Sequence, residues 1–130
     1  MGSEMCIRDR GTGTLPDFDV LMLGVGEDGH VASVFPGQSV GHRDQPVGAV
    51  RESPKPPPVR LTLSLATINT AAEIWLVASG AGKGRAVGQA LAGAEPEQVP
   101  AAGVRGVRRT LWLLDRAAAA DLPARTPSAH

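Results

Sequence analysis

Residues 18–30 read Phe18-Asp19-Val20-Leu21-Met22-Leu23-Gly24-Val25-Gly26-Glu27-Asp28-Gly29-His30, and their reading decides the fold class. Phe18 to Leu23 is a short, continuous apolar run that follows Pro16-Asp17 and is closed by Gly24. That pattern predicts a strand buried on both faces, as in a parallel sheet. Working outward, Glu73 to Ser79 and Thr110 to Leu114 repeat it. Val59 to Leu65 instead alternates, with Val59, Leu61, Leu63 and Leu65 on one face, and also reads as a strand. Ala66 to Ala72 predicts a short helix or turn, and Gly82 to Leu91 a helix with Val87, Ala90 and Leu91 on one side. Ala101 to Val104 predicts a turn of helix, and Arg116 to Leu122 a short alanine-rich helix. Gly37 to Pro58 holds Pro46, Pro54, Pro56, Pro57 and Pro58 and reads mostly as loop, because proline removes a backbone donor and restrains the residue before it. Strands alternating with helices imply an α/β fold, a parallel sheet covered on both sides.

At 130 residues the chain is at most one domain, long enough for a core of its own. Thirteen basic residues balance thirteen acidic ones, which argues against a nucleic-acid or anionic-membrane surface. No apolar stretch approaches the roughly 20 residues of a membrane span. The expectation is a soluble, cytoplasmic protein. One cysteine, Cys6, excludes an internal disulfide framework. Residues 1–10 show no periodicity, lack the apolar centre of a signal peptide, and read as a non-native, adapter-like leader. The tail 124–130 is expected to fray. Trp75 and Trp112 lie in apolar runs and are expected in the core.

The glycine loop admits several chemistries. Gly24-Val25-Gly26-Glu27-Asp28-Gly29 matches the dinucleotide pattern G-x-G-x-x-G after a strand, and Asp44 stands twenty residues beyond Gly24. A long helix should then follow, but Pro36-Gly37 ends any helix within about two turns, so that reading fails. A second reading is a plain turn in which the glycines supply special backbone angles and Asp28 caps a following helix. A third is an acid–base pair. Asp28 and His30 stand two residues apart, just past the carboxyl end of a strand, where ligands bind in open α/β sheets. Spacing alone leaves the last two open. Lys83 follows Gly80 at the start of a helix, where exposed N–H groups and an ammonium make an anion site, although such a lysine is often simply solvated. A nucleotide P-loop is excluded there, because Val77 occupies the first glycine position and Gly84 the Ser/Thr position.

The longer string Asp19 to Gly37, ending Asp28-Gly29-His30-Val31-Ala32-Ser33-Val34-Phe35-Pro36-Gly37, resembles the signature of the 6-phosphogluconolactonases nearly position for position. Pro57 to Ser64 resembles the family's second motif and Ser79 to Ala86 its third. The resemblance covers most of residues 17–115, roughly the C-terminal half of a complete member. It implies a Rossmann-like α/β sheet flanked by helices, shared with the glucosamine-6-phosphate deaminases and sugar-phosphate isomerases. In this chain that sheet would be N-terminally truncated, with residues 11–123 as the domain's C-terminal part.

The resemblance implies hydrolysis of 6-phospho-D-glucono-1,5-lactone to 6-phosphogluconate, in the oxidative pentose phosphate pathway. It implies no metal, no organic cofactor, no nucleic-acid or membrane partner, and a monomer or weak homo-oligomer. His30 would be the general base, with Asp28 orienting it. Backbone N–H groups around Gly26 and Gly29 would polarise the lactone carbonyl. Lys83 and Arg60 would hold the phosphate, with Arg85 and His42 as weaker candidates. Amino-sugar-phosphate deaminases and isomerases carry a glutamate where Phe35 stands, and Phe35 cannot take or orient a proton. The chain has no counterpart of the family's N-terminal phosphate loop before Asp17. On that reading the sheet would expose an edge and an apolar face, and the isolated chain would fold poorly and hydrolyse weakly, or be an inactive fragment.

Overall fold

The computed structural model describes residues 15–38 and 45–122. The readings made for residues 1–10, His42, Asp44 and the tail lie outside these. The elements are strands β1 (Val20–Gly24), β2 (Val47–Val50) and β3 (Arg60–Leu63), helix α1 (Leu65–Ile68), strand β4 (Glu73–Ala78), helix α2 (Gly84–Leu91) and strand β5 (Arg109–Leu114). Two 3-10 turns, Ala81–Lys83 and Pro100–Gly103, complete them.

The three apolar runs form one parallel sheet in the order β1-β4-β5. Its register pairs Met22 with Trp75 and Trp75 with Leu111. One face carries Leu21 and Leu23 from β1, Ile74, Leu76 and Ala78 from β4, and Trp112 and Leu114 from β5. This face meets Ile68 of α1, Val87 and Ala90 of α2, and Ala101 of the second 3-10 turn. Ile68, Ile74, Leu76 and Val87 are fully excluded from solvent. Each such side chain stabilises the fold by about 1.5–3 kcal/mol relative to exposure. The α/β class and the covering helices therefore follow the sequence.

The opposite face departs from the expected burial on both sides. Val20, Met22, Val77 and Leu113 point there with 41–63% of their surface exposed. Trp75 shares this face and is only half-buried, its indole N–H donating to Glu73 Oε1 at 3.1 Å, while Trp112 packs against the core. The apolar runs were long enough for two-sided burial, but among the described residues only one side has a covering layer.

The alternating strand forms, but in a different sheet and with its polar side inward. β3 pairs antiparallel with β2, four residues lying inside the stretch expected as loop. Val59 and Leu61 are 61% and 68% exposed, whereas Thr62 is buried. The cause is a hydrogen bond: Thr62 Oγ1 accepts the Ser33 N–H at 3.0 Å and fastens the hairpin to the segment after the glycine loop. Arg116 to Leu122 is a series of turns rather than a helix. Asp115 caps it by accepting the Ala118 N–H at 2.8 Å, and the bonds that follow do not propagate as a continuous i→i+4 ladder. Among the described residues no helix is long and apolar enough to cross a membrane.

Candidate active site

Because β1 and β4 run parallel, with Gly24 beside Val77, the loops that follow them leave the sheet at the same edge. The first is the glycine loop. Its backbone closes on itself, the Gly26 N–H donating to the His30 carbonyl and the Gly29 N–H to the Gly26 carbonyl, both at 2.9 Å. Gly29 sits at φ 89, and a side chain there would also strike Val99. The Ala101 N–H donates to the Gly29 carbonyl at 3.0 Å and ties the loop to the covering layer. No helix follows, so Asp28 is not a helix cap. Its Oδ1 instead accepts the His30 backbone N–H at 3.0 Å, the local turn that short carboxylates form readily.

The same oxygen lies 2.6 Å from His30 Nδ1, which makes an acid–imidazole pair. An ionised carboxylate can only accept, so Nδ1 carries a proton, and in the neutral ring Nε2 keeps a lone pair. Partial burial raises the Asp28 carboxyl, but its two hydrogen bonds from His30, the imidazole charge and the Lys55 ammonium together outweigh that and hold it below the ordinary value. His30 is mostly enclosed, with 17% of its side chain exposed. One flank of the ring rests against Gly26, where any Cβ would overlap Nδ1 and Cε1. Phe35 lies on the ring as well, centroid to centroid at 4.7 Å.

Lys83 ends the 3-10 turn after β4, and its Nζ donates to the Val25 carbonyl at 2.6 Å, which brings it onto the glycine loop. Arg60 approaches from β3, its guanidinium carbon 5.7 Å from the Phe35 centroid. Arg60 Nε donates to the Pro57 carbonyl at 3.0 Å, and Nη2 to the Lys55 and Pro56 carbonyls at 3.1 and 2.7 Å. Its Nη1 has no bond among the described residues. The structure thus gathers Asp28, His30, Gly26 and Gly29 in one loop, joins Lys83 to it directly, and joins Arg60 through Phe35. Arg85 is exposed on α2 and makes no side-chain hydrogen bond or ion pair among the described residues.

The N–H groups of Gly26 and Gly29 themselves are both bonded inside the loop. Having no side chains, these glycines admit the imidazole at residue 26 and a left-handed backbone at residue 29. Lys55 was missed. It lies in the proline-rich loop, where only its charge beside four nearby prolines offered a signal, yet its positive charge acts on the Asp28 carboxyl. Among the described residues no three His, Cys, Asp or Glu side chains converge as a metal-binding group. A cleft of about 530 Å³ opens between the Ser33–Phe35 segment and the β2–β3 hairpin, bordering Phe35 but not lined by His30 or Lys83.

Comparison with known proteins agrees with this geometry. Residues 3–112 match the family model described as glucosamine-6-phosphate isomerases/6-phosphogluconolactonase. The chain is 56% identical over 110 residues to the 6-phosphogluconolactonase of Streptomyces coelicolor, a match covering 84% of this chain and 42% of that protein. It is 53% identical over 109 residues to the Mycobacterium tuberculosis 6-phosphogluconolactonase, covering 83% and 44%. The chain therefore spans less than half the length of these relatives. Among solved structures, the 6-phosphogluconolactonase of Thermotoga maritima superposes with a TM-score of 0.70 at 31% identity, covering 88% of this chain and 51% of that one. A monomeric glucosamine-6-phosphate deaminase superposes at 0.68 with 27% identity, covering 92% and 54%. From its motifs, its sheet and these matches, the chain belongs to the glucosamine-6-phosphate isomerase/6-phosphogluconolactonase family.

Proposed function

We propose that this chain carries the hydrolytic centre of a 6-phosphogluconolactonase, converting 6-phospho-D-glucono-1,5-lactone and water to 6-phosphogluconate. The observation that carries the reading is the Asp28–His30 pair, 2.6 Å apart at the carboxyl edge of β1. His30 Nε2 takes a proton from water as the oxygen adds to the lactone carbonyl. The imidazolium is stabilised by Asp28 and returns the proton to the ring oxygen as the C–O bond breaks. Lys83 and Arg60 hold the phosphate, with Lys55 as a third cation. No metal or organic cofactor enters this reaction. Phe35 favours the hydrolase over the aminosugar deaminase branch of the family, since a phenyl ring cannot shuttle the proton that isomerisation requires. The setting is cytoplasmic, and the protein acts as a monomer or weak homo-oligomer.

The test is hydrolysis of freshly prepared lactone above its spontaneous rate. It is measured with the 130-residue chain and with a chimera in which the chain replaces the matching segment of the Streptomyces coelicolor relative. The chimera is expected to be active and the chain alone weak. His30→Ala is expected to reduce the chimera's rate by about 10²–10⁴-fold, the usual contribution of a general base. A silent chimera with a native thermal transition overturns the reaction, and an active His30→Ala variant overturns the base.

A further inference from the structure

We infer that Phe35 is a positioning residue that fixes the general base and the Arg60 cation relative to one another; the inference rests on the hydrolase reading above. The ring is 1% exposed and contacts both partners. Its centroid is 4.7 Å from that of the His30 imidazole, with the planes inclined by 38°, and 5.7 Å from the Arg60 guanidinium carbon. Among the described residues no other aromatic side chain meets both the imidazole and the guanidinium.

Each partner is already fixed on its remaining sides. Asp28 holds the imidazole at Nδ1 and Gly26 closes one flank, so the phenyl ring is the third restraint on its rotation. Three carbonyls hold Arg60 at Nε and Nη2, which leaves Nη1 without a partner among the described residues, while the phenyl ring lies against the guanidinium. The two catalytic parts come from different sheets, β1 and β3, and the Thr62–Ser33 bond alone does not define their mutual angle. An aromatic ring holds an imidazole by tilted ring contact and a guanidinium by its quadrupole, and a branched aliphatic side chain has neither feature. Replacing Phe35 with leucine therefore frees both groups at once.

The test is a pair of double-substitution cycles in the chimera. Phe35→Leu is expected to lower kcat by at least about tenfold, the scale of a misplaced catalytic group, and to raise KM severalfold. In a His30→Ala background Phe35→Leu is expected to lower kcat no further. In an Arg60→Ala background it is expected to raise KM no further. Phe35→Tyr, which keeps the ring, is expected to restore kcat. Equal losses in every background would show a merely structural role and overturn the inference. A readout that needs no substitution is the nuclear Overhauser contact between the His30 and Phe35 ring protons in the chimera. Its presence supports the stack and its absence overturns it. If the chimera shows no lactonase activity, the proposed reaction falls, and this contact decides the positioning by itself.

Discussion

A methyl group at residue 26 is the most economical probe of the site. In Gly26→Ala the new Cβ would overlap His30 Nδ1 and Cε1 and lie 2.7 Å from Asp28 Oδ1. The backbone cannot retreat, because the Gly26 N–H and carbonyl are both bonded within the turn. The imidazole must swing out. That breaks a charge-assisted hydrogen bond nominally worth about 1.5–3 kcal/mol, taken at the low end because Asp28 is about a third exposed. The aromatic contact with Phe35 adds about 0.5–1.5 kcal/mol. A loss of about 2–3 kcal/mol in a domain near 100 residues lowers Tm by roughly 10–20 °C. The effect on the reaction is larger, since a base displaced by more than about 1 Å costs on the order of 10²-fold. Gly24→Ala is the matched control: its Cβ meets nothing within 4 Å, and stability should change by no more than about 0.5 kcal/mol. Lactone hydrolysis by the chimera and thermal unfolding of the chain measure the two effects. A Gly26→Ala protein within about threefold of the parent rate would refute the seating of the ring against residue 26.

Three further outcomes follow from the same geometry. Gly29→Ala should destabilise the chain by about 1–3 kcal/mol, because φ 89 is strained for alanine and Val99 Cγ1 lies 2.7 Å from the new Cβ; an unchanged denaturation midpoint would contradict this. Asp28→Asn tests the depressed carboxyl. Folding favours the ionised form, so its stabilisation is present above the unfolded-chain value near 4 and is lost as pH falls through the lower folded value. The stability gap between parent and Asp28→Asn should thus be full at neutral pH and close below about pH 4, in thermal melts across that range. Met22→Lys with Val77→Lys places charge on the open sheet face. It should leave Tm nearly unchanged and reduce self-association in sedimentation, whereas a large loss of Tm would mean that the face is buried.

The elements that build the parallel sheet were legible because each is an unbroken apolar run, β1 and β4 closed by glycine and β5 flanked by charged residues, a signal carried within a few residues. Helix α2 was equally plain, since Val87 and Ala90 recur at helical spacing. The β2–β3 hairpin was half legible. Alternation marked β3, but the inward side is chosen by the Thr62–Ser33 bond, which spans 29 positions and leaves no local trace. β2 was masked by its surroundings, because proline on either side of Val47–Val50 made the whole stretch read as loop. Within the site, Asp28 and His30 could be named from a three-residue string, while their actual contact depends on residue 26 having no side chain. Lys55 and the Phe35 stack depend on how separate segments meet, which spacing does not encode.

The bond from Lys83 Nζ to the Val25 carbonyl has a consequence for anion affinity. A lysine side chain loses about 2 kcal/mol of rotamer entropy when it is immobilised. Here that loss has already occurred in the folded chain, before any anion arrives. An ammonium has three N–H groups and the carbonyl takes one; the other two have no partner among the described residues, and the first sets their direction. On the proposed reading, an arriving phosphoryl oxygen would meet a donor already aimed and stationary, and its binding energy would not be spent on stilling a mobile arm. The tie also couples the segments after β1 and β4, so a shift in the cation's footing is felt at the loop that holds His30.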